Sequence, residues 1–213
     1  MFAAALVAGK KAGDRRPAAI IRTGFLLTSL GIAIIIPFVP RADTGWYFVL
    51  PLAIVGCGLG LLVSQLNNYT LAPIEEERVS EAAGVNSAAG SFGLSFGLAM
   101  AGGILLAALS VSFTQLVENS QVIPQAQQEQ IAAALEDDAE VMSNTQLEEQ
   151  ITGQPPAVEA EVVAINNEAR NLSLQIALLV PLLASLLGLG NSFRMLRLPD
   201  QKPASSIDGM DFG

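Results

Sequence analysis

"AIVGCGLGLLVSQLNNYT", Ala53 to Thr70, decides the fold. Gly56, Gly58 and Gly60 stand on alternate positions. Such a pattern belongs either to a phosphate-cradling turn between a strand and a helix or to a membrane helix with notches for close packing. The first reading requires a strand before the glycines, a helix opening with free N–H groups, and a fixed residue pattern. Here "GCGLG" lies inside an apolar run with no turn signal on either side. There is no G-x-G-x-x-G, no G-K-[ST] and no acidic residue at ribose distance. On a helix, by contrast, Gly56, Gly60, Ser64 and Asn68 recur every four residues along one stripe. The stripe is small in one half and polar in the other, and Gly58 and Gln65 fall on another face.

The surroundings support the helix. Of 213 residues 51% are hydrophobic and 15% charged, and the mean hydropathy is +0.47; soluble domains carry about a quarter charged residues. Four apolar stretches are long enough to cross a bilayer core, which takes about 20 helical residues. They are Ile20 to Val39, Trp46 to about Leu71, about Ala82 to Leu109, and Leu172 to Phe193. Arg22 sits near one end of the first, where it can snorkel, and Trp46 and Tyr47 form an interfacial anchor on the second. Before the first stretch, residues 1–9 read as the last turns of a further helix whose beginning is absent. The expected class is an all-α membrane protein with four transmembrane helices plus the end of a fifth.

Charge is uneven. Residues 114–170 hold eleven carboxylates and one base, and the rest of the chain nine acids and ten bases. Lysine and arginine alternate by connection. Nine fall on one side, in the stretch up to Arg22, at Arg78 and in the tail, and two on the other, Arg41 and Arg170. The positive-inside rule then makes residues 10–19 a cytoplasmic basic loop and 194–213 a cytoplasmic tail, with 114–170 an acidic extracytoplasmic loop. Residues 20–113 hold three spans and 171–193 the last. Within the acidic loop, Ile131, Leu135 and Met142 after Pro124, and Val158, Val162 and Ile165 after Pro155 and Pro156, recur at helical spacing. They predict two short helices, the second continuing into the fourth span. The run "EDDAE", Glu136 to Glu140, lacks the spaced ligands and turn glycine of a calcium loop and reads as a solvated face.

The third span carries Gly84, Gly90, Gly93, Gly97 and Ala101 at small-residue positions, beside Ser87, Ser91 and Ser95. Small residues let helix backbones approach closely, so these glycines, with Gly56 and Gly60, are candidate packing positions. Polar side chains at membrane depth turn toward a bundle interior or a cavity. Ser64, Gln65, Asn68, Asn86 and Ser87 are therefore candidate cavity-lining residues. The chain has no histidine, and Cys57 is its sole cysteine. With no metal-ligand cluster, activated serine motif or cofactor fingerprint, no catalytic, cofactor or metal site is expected, and the chain does not read as an enzyme.

Three places resemble the C-terminal part of a major facilitator superfamily permease, in the fourteen-helix drug:proton antiporter branch. "GKKAGDRRPAAIIRTG", Gly9 to Gly24, is similar to the loop motif G-x-L-x-D-R-x-G-R-R: Asp14 and Arg15 match its D-R and Arg16 follows, while Gly9 is one position early and Pro17 takes a glycine's place. The stretch from Gly56 to Leu105 is similar to a glycine-alternating helix, a short loop and "GxxSGxxNTxRQxGxxxGxA", with Gly84, Asn86, Gly93, Gly97 and Ala99 fitting and Gly90 and Ser91 standing where Arg-Gln is common. An acidic helical outer loop before a last span and a basic tail is the third.

The resemblance implies that these spans belong to the C-terminal bundle of a major facilitator fold. The function it implies is a proton-coupled multidrug or small-molecule exporter, inactive without its N-terminal bundle. Its partners would be membrane lipid, the missing bundle, a small-molecule substrate and protons, with no nucleic acid. Its place would be a bacterial plasma membrane, crossed several times, and Asp14 and Arg15 would help latch the cytoplasmic face. The reading from a different class is a stand-alone four-helix interaction or assembly subunit.

Overall fold

A computed structural model describes residues 17–41, 44–128, 131 and 153–195. The remainder, which includes residues 1–9, the loop-motif residues Asp14, Arg15 and Arg16, Leu135, Met142, the "EDDAE" run and the tail beyond Met195, lies outside the described residues. The described residues are helical, with no strand among them. Four long helices follow one another: α1 Pro17–Phe38, α2 Val49–Leu71, α3 Val79–Glu118 and α4 Pro156–Met195. Short 3-10 turns precede α2 at Gly45–Phe48 and α3 at Glu76–Arg78. All four helices are long and apolar enough to cross a membrane, as the four apolar runs predict.

The boundaries have local causes. Pro17 opens α1 and Pro156 opens α4, the first helical position, where a missing N–H costs nothing and φ is already helical. Gly153, at φ 100°, turns the chain into α4, and its N–H donates to the Glu159 carboxylate at 3.2 Å. At the far end of α1 the carbonyl of Ile36 would normally pair with residue 40, but Pro40 has no N–H. The Gln175 side chain of α4 donates to it instead, at 2.8 Å. One residue on, Arg41 donates to the Pro37 carbonyl at 2.7 Å.

Length separates the helices into two classes. At 22 and 23 residues, α1 and α2 are ~33–35 Å long at 1.5 Å per residue, one bilayer core. At 40 residues each, α3 and α4 reach ~60 Å, about twice the ~30 Å hydrocarbon thickness. The span expected at about 82–109 is thus the middle of a longer helix. Its C-terminal part occupies the start of what the sequence presents as the acidic loop. At the other end of that loop, the short helix expected around Val158, Val162 and Ile165 is the first part of α4 and continues into the fourth span. Residues 125–128 and Ile131 are also helical.

The chain divides into two compact units. The first holds described residues 17–35, 44–96 and 182–195, the second 36–41, 97–128, 131 and 153–181. The second has an apolar core of its own. Leu109, Phe113 and Val117, four residues apart on α3, meet Val158, Val162, Ile165 and Ala169 of α4, with Ile123 closing the end. Phe113, Val117, Val162 and Ala169 are wholly buried. Glu118, Glu159, Glu161 and Glu168 occupy the same stretches, so this core is built by helices that carry charge around it. Ser120 fixes the end of α3: its hydroxyl donates to Glu161 at 2.8 Å and lies within reach of the N–H groups of Val122 and Ile123. The Gln128 amide then donates to the carbonyls of Ser120 and Ile123.

Candidate helix-packing and polar site

In the first unit α1 and α2 approach closely along a line of small residues. A Cβ built on Gly58 would stand 2.7 Å from the Gly24 carbonyl oxygen and 2.7 Å from the Thr28 backbone nitrogen. One on Gly24 would stand 2.8 Å from Leu62 Cγ, and one on Gly31 2.9 Å from the Val55 nitrogen. Only glycine fits at these distances without movement. The α1 stripe is therefore Gly24, Thr28 and Gly31, and the α2 stripe Pro51, Val55, Gly58 and Leu62. The Thr28 hydroxyl, buried here, donates back to the Gly24 carbonyl at 2.9 Å.

This pairing uses a different face of α2 from the Gly56 stripe read in the sequence. Gly60 is buried and Gly56 half-buried, and the backbone of α1 lies against the face that carries Gly58. Both faces offer small residues at helical spacing, and the partner α1 selects the one whose large residues, Val55 and Leu62, fit beside its glycines.

Between α1 and α4 the contact is polar. Ser185 donates to the Phe25 carbonyl at 3.2 Å, and Ser29 and Ser185 hydroxyls are 2.7 Å apart. A serine has one proton, so Ser29 is the donor to Ser185. Close by, the Phe25 ring occupies the space a side chain on Gly188 would need. Arg22 lies over the Phe193 ring, 5.5 Å from its centroid, which adds a cation–π contact to the snorkelling expected of it.

The candidate cavity residues take separate places. Gln65 is buried, and its Nε2 has no hydrogen-bond partner. Ser64 is half-buried and donates to the Leu61 carbonyl at 2.9 Å. Asn68 lies in α2, and Ser87 is exposed on α3. Asn86 donates to the Asn67 side chain at 2.7 Å and lines a half-open groove of about 590 Å³. The groove runs between the turn after α2 and the first turns of α3. Of the four candidates whose side chains are described, Ser64, Gln65, Asn86 and Ser87, Asn86 lines it.

The packing glycines of α3 also differ from those of α2. At Gly84, Gly90, Gly93 and Gly97 an added Cβ would meet nothing within 4 Å. Phe92, Leu94, Phe96 and Leu98 are exposed between them. Only 6% of the α3 spanning window is buried, against 44% of α1. Sequence reasoning did not single out Gly24, Gly31, Ser29 or Ser185. The signal for the first two was present, two glycines seven residues apart on one helix face; nothing marked the serines as a pair.

No family model, no curated protein and no solved structure matches this chain.

Proposed function

We propose that this chain is the C-terminal part of a secondary active transporter, a proton-coupled exporter of drugs or other small molecules, working in a bacterial plasma membrane with its basic tail in the cytoplasm. The observation that carries the reading is α3. A spanning helix with a glycine stripe, serines at i, i+4 and i+8 and almost no cover within its chain is suited to further helices packing on it. In a facilitator-type transporter those helices come from the same bundle and from the opposing one, and substrate binds at the midplane between them. The sequence similarity from Gly56 to Leu105 supports the same assignment.

In this reading α1 to α4 are the last four helices of the second bundle, and the chain alone transports nothing. No Asp, Glu, Lys or Arg lies at a span centre, so a coupling carboxylate would come from the missing helices. The test begins with the DNA in frame upstream of Met1. If it encodes further spans, the whole protein reconstituted in vesicles with a pH gradient should move a solute such as a lipophilic cation. Failure across a panel of solutes would overturn the exporter.

The uncovered α3 also favours a second reading, a subunit that assembles with separate membrane helices and carries no substrate. A stop codon just upstream of Met1 would move that reading to the front. Purification of the chain from its native membrane would then have to bring a helical partner with it.

A further inference from the structure

The half-open groove at the start of α3 changes character along its length. Glu75, Arg78 and Glu81 line one part of it, and Ala82, Val85 and Ala89 carry it further along α3. These last three recur at helical spacing on one face, and Val85 and Ala89 are exposed. The change coincides with the edge of a spanning segment. After Glu81 the next charged side chain is Glu118, and this helix is long and apolar enough to cross a membrane. The groove therefore straddles the level at which lipid headgroups give way to acyl chains. From Ala82 to Ala89 it descends up to ~10 Å at 1.5 Å per residue.

The charged part is of mixed sign with acid in excess. Residues 75–81, "EEERVSE", contain four carboxylates and one base. Arg78 meets Glu81 at 3.7 Å, with both side chains well exposed. A pair so long and so open is weak, and both of its ends can take stronger partners. Asn86 donates its Nδ2 to the Asn67 side chain at 2.7 Å, and its carbonyl oxygen is a further acceptor on the groove wall.

We propose that this groove holds one membrane lipid whose headgroup carries a phosphate and a primary ammonium, a phosphatidylethanolamine. The acyl chain lies along Ala82, Val85 and Ala89, the phosphate meets Arg78, and the ammonium donates to the carboxylates of Glu75 and Glu81. The occupant is an amphiphile because polar and apolar surface follow one another along the helix axis; an amphipathic peptide helix needs them side by side. Arg78 selects a phosphate-bearing molecule over a plain lipophilic amine. The excess of carboxylate disfavours an anionic headgroup. Ionised carboxylates only accept hydrogen bonds, so an ammonium that keeps its N–H groups binds better than a trimethylated one. The site rests on α2 and α3 crossing a bilayer and not on the exporter reading.

The experiment is native mass spectrometry of the full chain, released from detergent micelles after addition of one lipid at a time. The lipids are phosphatidylethanolamine, its mono- and dimethyl derivatives, phosphatidylcholine and phosphatidylglycerol, all with the same acyl chains. One-to-one adducts should be several-fold more abundant with ethanolamine than with choline or glycerol, and should fall stepwise with N-methylation. E75Q combined with E81Q should bring the ethanolamine adduct down to the choline level. R78Q should lower the ethanolamine and choline adducts alike. Free phosphoethanolamine, which has no chains, should displace nothing. Equal adducts with every headgroup, unmoved by E75Q and E81Q, would overturn the proposal in favour of ordinary surrounding lipid. Adducts untouched by R78Q would overturn it in favour of an amine amphiphile without phosphate, and displacement by phosphoethanolamine in favour of a soluble ligand. The three replaced side chains are exposed, and an unchanged chromatographic profile and helical circular dichroism exclude unfolding as the cause.

Discussion

At the residue scale, one glycine is required by geometry and another by nothing among the described residues. Gly58 faces the backbone of α1, and a methyl group there would press on the Gly24 carbonyl and the Thr28 nitrogen. Backbone cannot yield as a side-chain tip can, so Gly58→Ala should destabilise the chain by about 1–3 kcal/mol, the usual cost of overpacking. Gly93→Ala, in open space, should stay within about 0.5 kcal/mol; thermal unfolding of both in one detergent checks the contrast. Gln65 is the opposite case. Its buried Nε2 has no partner, and an unmet buried donor costs about 1–3 kcal/mol. Gln65→Met, of similar length and without the amide, is therefore expected to raise the unfolding temperature; a clear fall would show that the amide is paired in the membrane. The sequence revealed that small and polar residues line α2, but not which of its faces meets α1. A single helix carries two such stripes, at Gly56 and at Gly58, and only the shape of the neighbour distinguishes them.

At the element scale, spans and extensions were legible to different degrees. Apolar length alone located the four spans, because the bilayer sets a minimum that few soluble segments meet. The continuation of α3 to Glu118 was hidden, since its last turns mix Gln115, Glu118 and apolar residues and resemble a loop entrance. What makes them helical is the partner. Leu109, Phe113 and Val117 find Val158, Val162 and Ile165 more than forty residues further along, a pairing no local pattern displays. The start of α4 was easier, with two prolines followed by apolar residues at helical spacing. Phe113 is wholly buried in this seam, so Phe113→Ala should cost about 3–5 kcal/mol of local stability. Hydrogen exchange should then rise at 109–123 and 158–169. Amides of α1 and α2, which do not contribute to that core, should keep their protection. If exchange rose throughout, the second unit would not be a separate folding element.

At the scale of the whole molecule the question is what covers α3. Lipid alone would be content with Phe92, Leu94, Phe96 and Leu98, but it gains nothing from the glycines and serines between them. Helix association in bilayers rests on such small residues, where backbones come close and hydroxyls bond across, as Gly24, Gly58, Ser29 and Ser185 do inside the chain. Gly93→Leu separates the two environments. Because a Cβ added there meets nothing within 4 Å, the isolated protein should unfold at a nearly unchanged temperature. If the chain works as proposed, with further helices on α3, the same leucine should hold the neighbouring helix away and reduce transport, or partner recovery, to near background. Phe92→Leu, a large apolar residue for another, should leave both properties intact. An assembled protein indifferent to Gly93→Leu would place this stripe against lipid, and the argument that α3 awaits other helices would fail with it.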